Sequence, residues 1–225
     1  MTSEIENWRK IIKNIDDDLV RAQYSYSIYA GSRDENGKIL SQLKEVLESN
    51  KRQAPNCVNI FHHINRIHLH DTALTICRMM DLNNDTDSFS KLAKKAKAKE
   101  ENLITLAKQQ YLRAEIDEAH KLLQYIYVEE QKNRIKDFIR LEGKLRNSKE
   151  FKEIKHLRDK ALAHRSARLN SSKANIKTIK YCLEKLEELL HIAYSIFLNT
   201  GYEPQDGYTF ALRDAKMFWN LIIDK

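Results

Sequence analysis

The chain has 225 residues, 42% hydrophobic and 32% charged, with a formal net charge of +7, which is long enough for one sizeable core. With only five Gly and two Pro, and with Leu, Ala, Lys, Glu and Ile dominating, the composition favours helices over strands. No apolar run approaches the roughly 18 residues of a membrane span, and the opening MTSEIENWRK lacks the order of a secretion signal. Cys57, Cys77 and Cys182 are odd in number and form no C-x-x-C pair. The expectation is therefore a cytoplasmic all-α protein whose cysteines fill its core in a reducing compartment.

Trp8, Ile11, Ile12, Ile15, Leu19 and Val20 recur at three- and four-residue steps, predicting an amphipathic helix that ends near Gly31. Ile39, Leu40, Leu43, Val46 and Leu47 mark a second, and SNKRQAPN reads as a connection. Asn56 can cap a long helix running to about Met80, where LNNDTDS stops it. Ser88 can cap the next, which opens with KLAKKAKAK. From Glu100 to Leu145 the pattern stays helical, and a rod of that length predicts a break near EEQKN at 129–133. Gly143 and the following RNS read as a turn into a helix from Ser148 to about Arg165. SARLNSS reads as a loop, Ile176 to Leu198 as an apolar helix, and Gly201, Pro204 and Gly207 as the last loop. The closing helix carries Met217, Phe218, Trp219, Leu221 and Ile222, too apolar a set to stay undocked. These elements imply one helical domain over 1–225, made of an N-terminal hairpin (1–55), a core (56–200) and a C-terminal loop and helix (201–225).

The positive charge is concentrated. Residues 131–180 hold sixteen Lys or Arg against five Asp or Glu. A basic surface of this kind suits a polyanion such as RNA, because each neutralised phosphate releases a condensed counterion; the plainer explanation is a set of Lys-rich exposed helices.

Within this segment lies FKEIKHLRDKALAHRS, residues 151–166, with Arg158, then Asp159, and His164 after Ala163. The bare spacing of Arg and His arises by chance about once or twice in a chain with this many Arg and His. Arg113 and His120 also fit it, but in acidic surroundings and with Ala114 after the Arg. The 151–166 segment resembles the HEPN superfamily, and within it the abortive-infection branch of type U, where "LR-(D/N)-K…AH-(R/D)" precedes the last long core helix. ALTICRMMDL, with Arg78 and Asp81, resembles the Arg-Leu-x-Asp pattern that ends a helix in that branch, although Met79 replaces the Leu. The resemblance covers roughly residues 56 to 200. It implies an HEPN-like antiparallel helical bundle with additional N- and C-terminal helices, acting as a homodimeric endoribonuclease toxin or effector of phage defence, with RNA as substrate and an antitoxin protein as a possible partner. The alternative is a non-catalytic helical module that binds RNA or protein.

These residue types suit cleavage of RNA without a metal or other cofactor. A histidine titrating near neutrality can take the proton of the ribose 2′-hydroxyl. A guanidinium can bind the charge that builds on phosphorus. On a helix, six residues at about 100° each place Arg158 and His164 about 120° apart around the axis and about 9 Å apart along it. They flank the apolar stripe Phe151, Ile154, Leu157 and Ala161. Two copies about a two-fold axis meet this constraint more easily than one, in agreement with the composite site that the resemblance implies. Asp159 can orient an imidazole or hold Arg158; Lys160, Arg165 and Arg168 are candidate phosphate contacts.

Four histidines, His62, His63, His68 and His70, fall within FHHINRIHLHD. None stands four residues from another, the spacing by which one helix pairs metal ligands, so no metal site is expected. His70 is a candidate supporting group, as are Arg78 and Asp81, whose simplest role is a local ion pair. Tyr24, Tyr26 and Tyr29 are expected to pack against a neighbouring helix rather than stack on bases.

Overall fold

The structure is a computed structural model, and it describes residues 2–34, 37–51, 56–111, 118–163, 176–200 and 207–223. The described residues form helices α1 (Thr2–Gly31), α2 (Ser41–Asn50), α3 (Cys57–Met79), α4 (Phe89–Ala98), α5 (Glu100–Tyr111), α6 (Glu118–Asn147), α7 (Lys149–Ala163), α8 (Ile176–Ala193) and α9 (Gly207–Ile223), with a π-helical turn, Tyr194–Leu198, prolonging α8. The single β-type pairing among them is an isolated bridge between Arg33 and Ile39, so the fold is all-α. No described helix is long and apolar enough to cross a membrane. SARLNSS and the loop at Gly201 and Pro204 lie outside the described residues.

Helix starts follow their caps. The Ser88 hydroxyl accepts the Lys91 N–H at 3.2 Å at the head of α4, and Ser148 does the same for Phe151 at 3.0 Å ahead of α7, each satisfying a donor that the first turn leaves open. Two boundaries differ from the sequence expectation. EEQKN lies inside α6, where Glu129–Lys132 and Glu130–Arg134 pair at three- and four-residue steps while Val128, Gln131 and Ile135 stay buried. The charged run is the solvated face of a continuous helix. Gly143 is helical too, since a Cβ there would meet only open space and an exposed helical Gly costs only about 1 kcal/mol. Between Glu100 and Leu145, α5 and α6 are described on either side of residues 112–117, which lie outside the described residues.

The chain divides into two compact units. The first takes residues 1–16, 78–147 and 185–203. Its core holds Trp8, Ile11, Ile12, Phe89, Leu92, Ile135 and Phe138. An edge-to-face series of rings runs through it: Phe89 to Phe138 at 6.4 Å, Phe138 to Phe197 at 6.1 Å, and Phe197 to Trp8 at 5.5 Å between centroids, an arrangement that matches ring edges to ring faces. The π turn buries Ile196 and Phe197 and ends at Asn199, whose left-handed backbone (φ 51°) returns its N–H to the Tyr194 carbonyl, a conformation Asn adopts at modest cost. Glu142, buried in this unit, accepts hydrogen bonds from the Ser90 hydroxyl at 2.6 Å and from Arg146 at 2.7 Å.

The second unit takes residues 17–77, 148–184 and 204–225. Leu43, Leu47, Phe61 and Trp219 form one of its clusters, with Ile28, Ile39 and Val58 at the edge. The Trp219 indole donates to the Ile28 carbonyl at 2.9 Å. A Cβ at Gly31 would lie 3.1 Å from the Trp219 ring and 3.4 Å from Ala215, so glycine there permits the close approach of α9 to α1. Trp219 alone meets the docking expectation among the described apolar side chains of the closing helix; Met217, Phe218 and Leu221 are exposed. Tyr26 and Tyr29 are buried as expected, Tyr24 is exposed, and Cys77 and Cys182 are buried and form no disulfide. Burial, aided by the nearby Glu150, Cys77 and Glu153, pushes the Cys182 thiol up to about 12, which keeps it protonated and unreactive.

The ring series makes Phe138 the side chain with most to lose. Phe138→Ala should destabilise the protein by about 3–5 kcal/mol in urea unfolding, whereas exposed Phe218→Ala should change it by about 0.5 kcal/mol or less; equal costs would contradict the assigned core.

Candidate active site on helix α7

Burial fixes the rotation of α7. Phe151, Ile154 and Leu157, three residues apart, are buried, while Lys152, Lys155, His156 and Asp159 are exposed. Glu153 ties α7 to α8 by accepting from the Thr178 hydroxyl at 3.0 Å. Arg158 follows Leu157 at the rim of the buried stripe, with its side chain 28% exposed. Its Nε and Nη2 both donate to one carboxylate oxygen of Asp159, at 2.9 and 2.6 Å. Of the two roles open to Asp159, holding the guanidinium is the one seen here.

α7 ends at Ala163, so His164 is the next residue in the chain. His164, Arg165 and Arg168 lie outside the described residues, as does the side chain of Lys160. Of the residues predicted on and after this helix, the structure brings together Arg158 and Asp159.

Arg78 is the penultimate residue of α3 and is exposed. Asp81 begins the loop after it, accepting from the Asn83 N–H and the Thr86 hydroxyl, each at 3.2 Å. Its carboxylate organises the loop between α3 and α4, a role that the sequence pattern alone did not suggest.

His70 sits on α3 beside a polar cluster that sequence reasoning missed. Asp71 accepts from Arg21 Nη2 at 2.5 Å and from the Ser25 hydroxyl at 2.7 Å. Burial pushes the Asp71 carboxyl up, but the hydrogen bonds from Arg21 and Ser25 prevail and hold it below its ordinary value. Arg21 and Ser25 stand four apart on α1, the one sequence signal that could have pointed to a shared acceptor. His68 Nδ1 and His70 Nε2 are buried and meet no hydrogen-bond partner among the described residues. Burial lowers the pKa of both imidazoles; Asp71 partly opposes this at His68, and Arg66 adds to it at His70. Among the described residues, no three His, Cys, Asp or Glu are grouped so as to hold a metal ion.

Residues 5–218 match the family model of the HEPN proteins of type AbiU2. The chain belongs to the AbiU2 family of HEPN proteins. The match extends well beyond residues 56–200, so α1 and most of α9 are parts of the family's fold rather than appendages to it. No curated protein and no solved structure matches the chain. Family membership associates the protein with abortive infection, and it places Arg158 and His164 within the matched span.

The buried imidazoles carry a pH dependence. Their folded pKa values lie below the ordinary 6.5, so near and below that pH the unfolded chain binds more protons than the folded one, and stability falls with acidification. The urea midpoint should drop between pH 7.5 and 5.5, and the His68→Gln/His70→Gln variant should flatten that slope. Asp71 acts only at lower pH, its contribution being lost below about 3.8. A parent curve that is level from pH 7.5 to 5.5 would refute the assignment.

Proposed function

We propose that the protein is a metal-independent endoribonuclease of HEPN type, acting in the cytosol as the effector of an abortive-infection or toxin–antitoxin system. The observation that carries this reading is membership of the AbiU2 family over residues 5–218, with the Arg158-Asp159 pair standing at the rim of α7 six residues before His164. The basic segment 131–180 supplies the electrostatic attraction that holds a polyanionic strand.

His164 accepts the proton of the ribose 2′-hydroxyl, and the oxygen attacks the adjacent phosphorus. Arg158 binds the charge that develops on the phosphoryl oxygens. The P–O5′ bond breaks as a second acid protonates the departing oxygen, leaving a 2′,3′-cyclic phosphate and a 5′-hydroxyl. The second acid is the partner's His164 in a homodimer whose two copies share one cleft, and Lys160, Arg165 and Arg168 hold flanking phosphates. An antitoxin protein, where one exists, would act by covering this cleft.

The test uses a labelled oligoribonucleotide. His164→Ala should slow cleavage about 100- to 10,000-fold and Arg158→Ala about 100- to 1,000-fold, with RNA binding retained in the former. Chelators should leave the parent rate unchanged, DNA of the same sequence should remain intact, and light scattering should report two copies per particle. Cleavage that survives His164→Ala would refute the role given to His164, and its absence from the parent would leave a non-catalytic binding module as the reading to hold.

A further inference from the structure

The second unit contains an open cavity of about 620 Å³ whose lining includes Arg33, Asp34, Lys177, Lys180 and Lys216, with Tyr26 and Trp219 as its aromatic wall. That volume falls within the range of small-ligand pockets. Four cations and one carboxylate line it, and the carboxylate is engaged in its own loop, Asp34 accepting the Lys38 N–H at 2.8 Å. Lys180 has a solvent-exposed partner, Glu184, at 3.8 Å, a contact of little strength. Among the described residues, neither Lys177 nor Lys216 makes an ion pair.

Arg33 is the best-fixed of the four. Its Nη1 donates to the Gly37 carbonyl at 2.7 Å, its guanidinium lies 5.0 Å from the centre of the Tyr29 ring, and its buried Nε has no acceptor among the described residues. A positioned donor without an acceptor, beside three lysines at the rim of the same cavity, calls for an anion with several oxygens. The apolar part of the lining, the exposed Leu40 and the partly exposed Ile176 over the buried Tyr26 and Trp219, calls for a flat or apolar group attached to that anion. These residues come from α1, α8, α9 and the turn after α1, far apart in sequence.

We propose that this cavity binds a nucleoside phosphate, its phosphoryl group among Arg33, Lys177, Lys180 and Lys216 and its base against the apolar lining of Leu40 and Ile176. The ligand is either a free nucleotide or one nucleotide of an RNA strand, and the site does not depend on the cleavage chemistry assigned to Arg158 and His164. Titration calorimetry of the full chain with AMP, with adenosine and with a five-nucleotide RNA tests it. AMP or the RNA should bind, and the Lys180→Glu/Lys216→Glu variant, altered at exposed positions and checked for native circular dichroism, should bind the same ligand about tenfold or more weakly. Adenosine should bind at least about tenfold more weakly than AMP, since it lacks the phosphate. A stronger response to AMP identifies a free nucleotide and a stronger response to the RNA identifies a strand; both support the site. Failure of both ligands to bind, or equal affinity in parent and variant, or adenosine binding as well as AMP in an AMP-binding protein, would overturn it. His164→Ala should leave these affinities unchanged even though it abolishes cleavage, which separates failure of this site from failure of the nuclease.

Discussion

The burial of Phe151, Ile154 and Leu157 is the constraint on which the candidate site depends. Complete exclusion of Ile154 and Leu157 from water is worth about 1.5–3 kcal/mol for each side chain, so α7 has one favourable rotation about its axis. That rotation sends Lys152, Lys155 and Asp159 to solvent and leaves Arg158 partly buried at the rim. Ser148 fixes where the helix starts, and the Thr178–Glu153 hydrogen bond ties it to α8. Apolar residues thus position the guanidinium, and polar ones hold it.

Much of this was legible in the sequence because the relevant signals are local. The three- and four-residue recurrence from Trp8 to Leu19 gave α1, Ser88 gave the start of α4, and LNNDTDS gave the end of α3. The misplaced boundaries have a common cause: charge density at 129–133 and a glycine at 143 are breaks only where the helix must bury those positions, and both lie on the solvent side of α6. A charge run and an interior glycine are therefore weaker punctuation than a polar cap or a change in apolar period.

The site divides along the same line. Arg158 and Asp159 are adjacent, so their pairing could be anticipated, although the choice of Arg158 over an imidazole as the partner of Asp159 needed coordinates. The Arg21–Ser25–Asp71 cluster and the cationic cavity join segments that lie far apart in the sequence. No periodicity encodes such contacts; they follow from how α1 packs on α3, α8 and α9 within one unit. The cations Arg33, Lys177, Lys180 and Lys216 look in sequence like any solvated Lys or Arg.

The strength of the Arg158–Asp159 contact bears on what Arg158 can do. Asp159 is more than half exposed and Arg158 more than a quarter, and ion pairs in such surroundings contribute about 0–1 kcal/mol. Both guanidinium donors fall on a single carboxylate oxygen, short of the two-on-two fork that gives Arg–carboxylate pairs their full strength. A phosphoryl group offers the same planar donors more oxygens, and its charge grows as the 2′-oxygen closes on phosphorus. The Asp159 contact is therefore of modest strength, which is what the proposed role of Arg158 toward a phosphoryl group would require. The Arg146–Glu142 pair of the first unit differs on the carboxylate side: Glu142 is 2% exposed, so removing Arg146 would leave a buried charge uncompensated, at about 3–5 kcal/mol, a cost that the exposed Asp159 does not carry. An arginine paired with a buried carboxylate stabilises a fold, whereas the pairing of Arg158 with the exposed Asp159 adds little to stability.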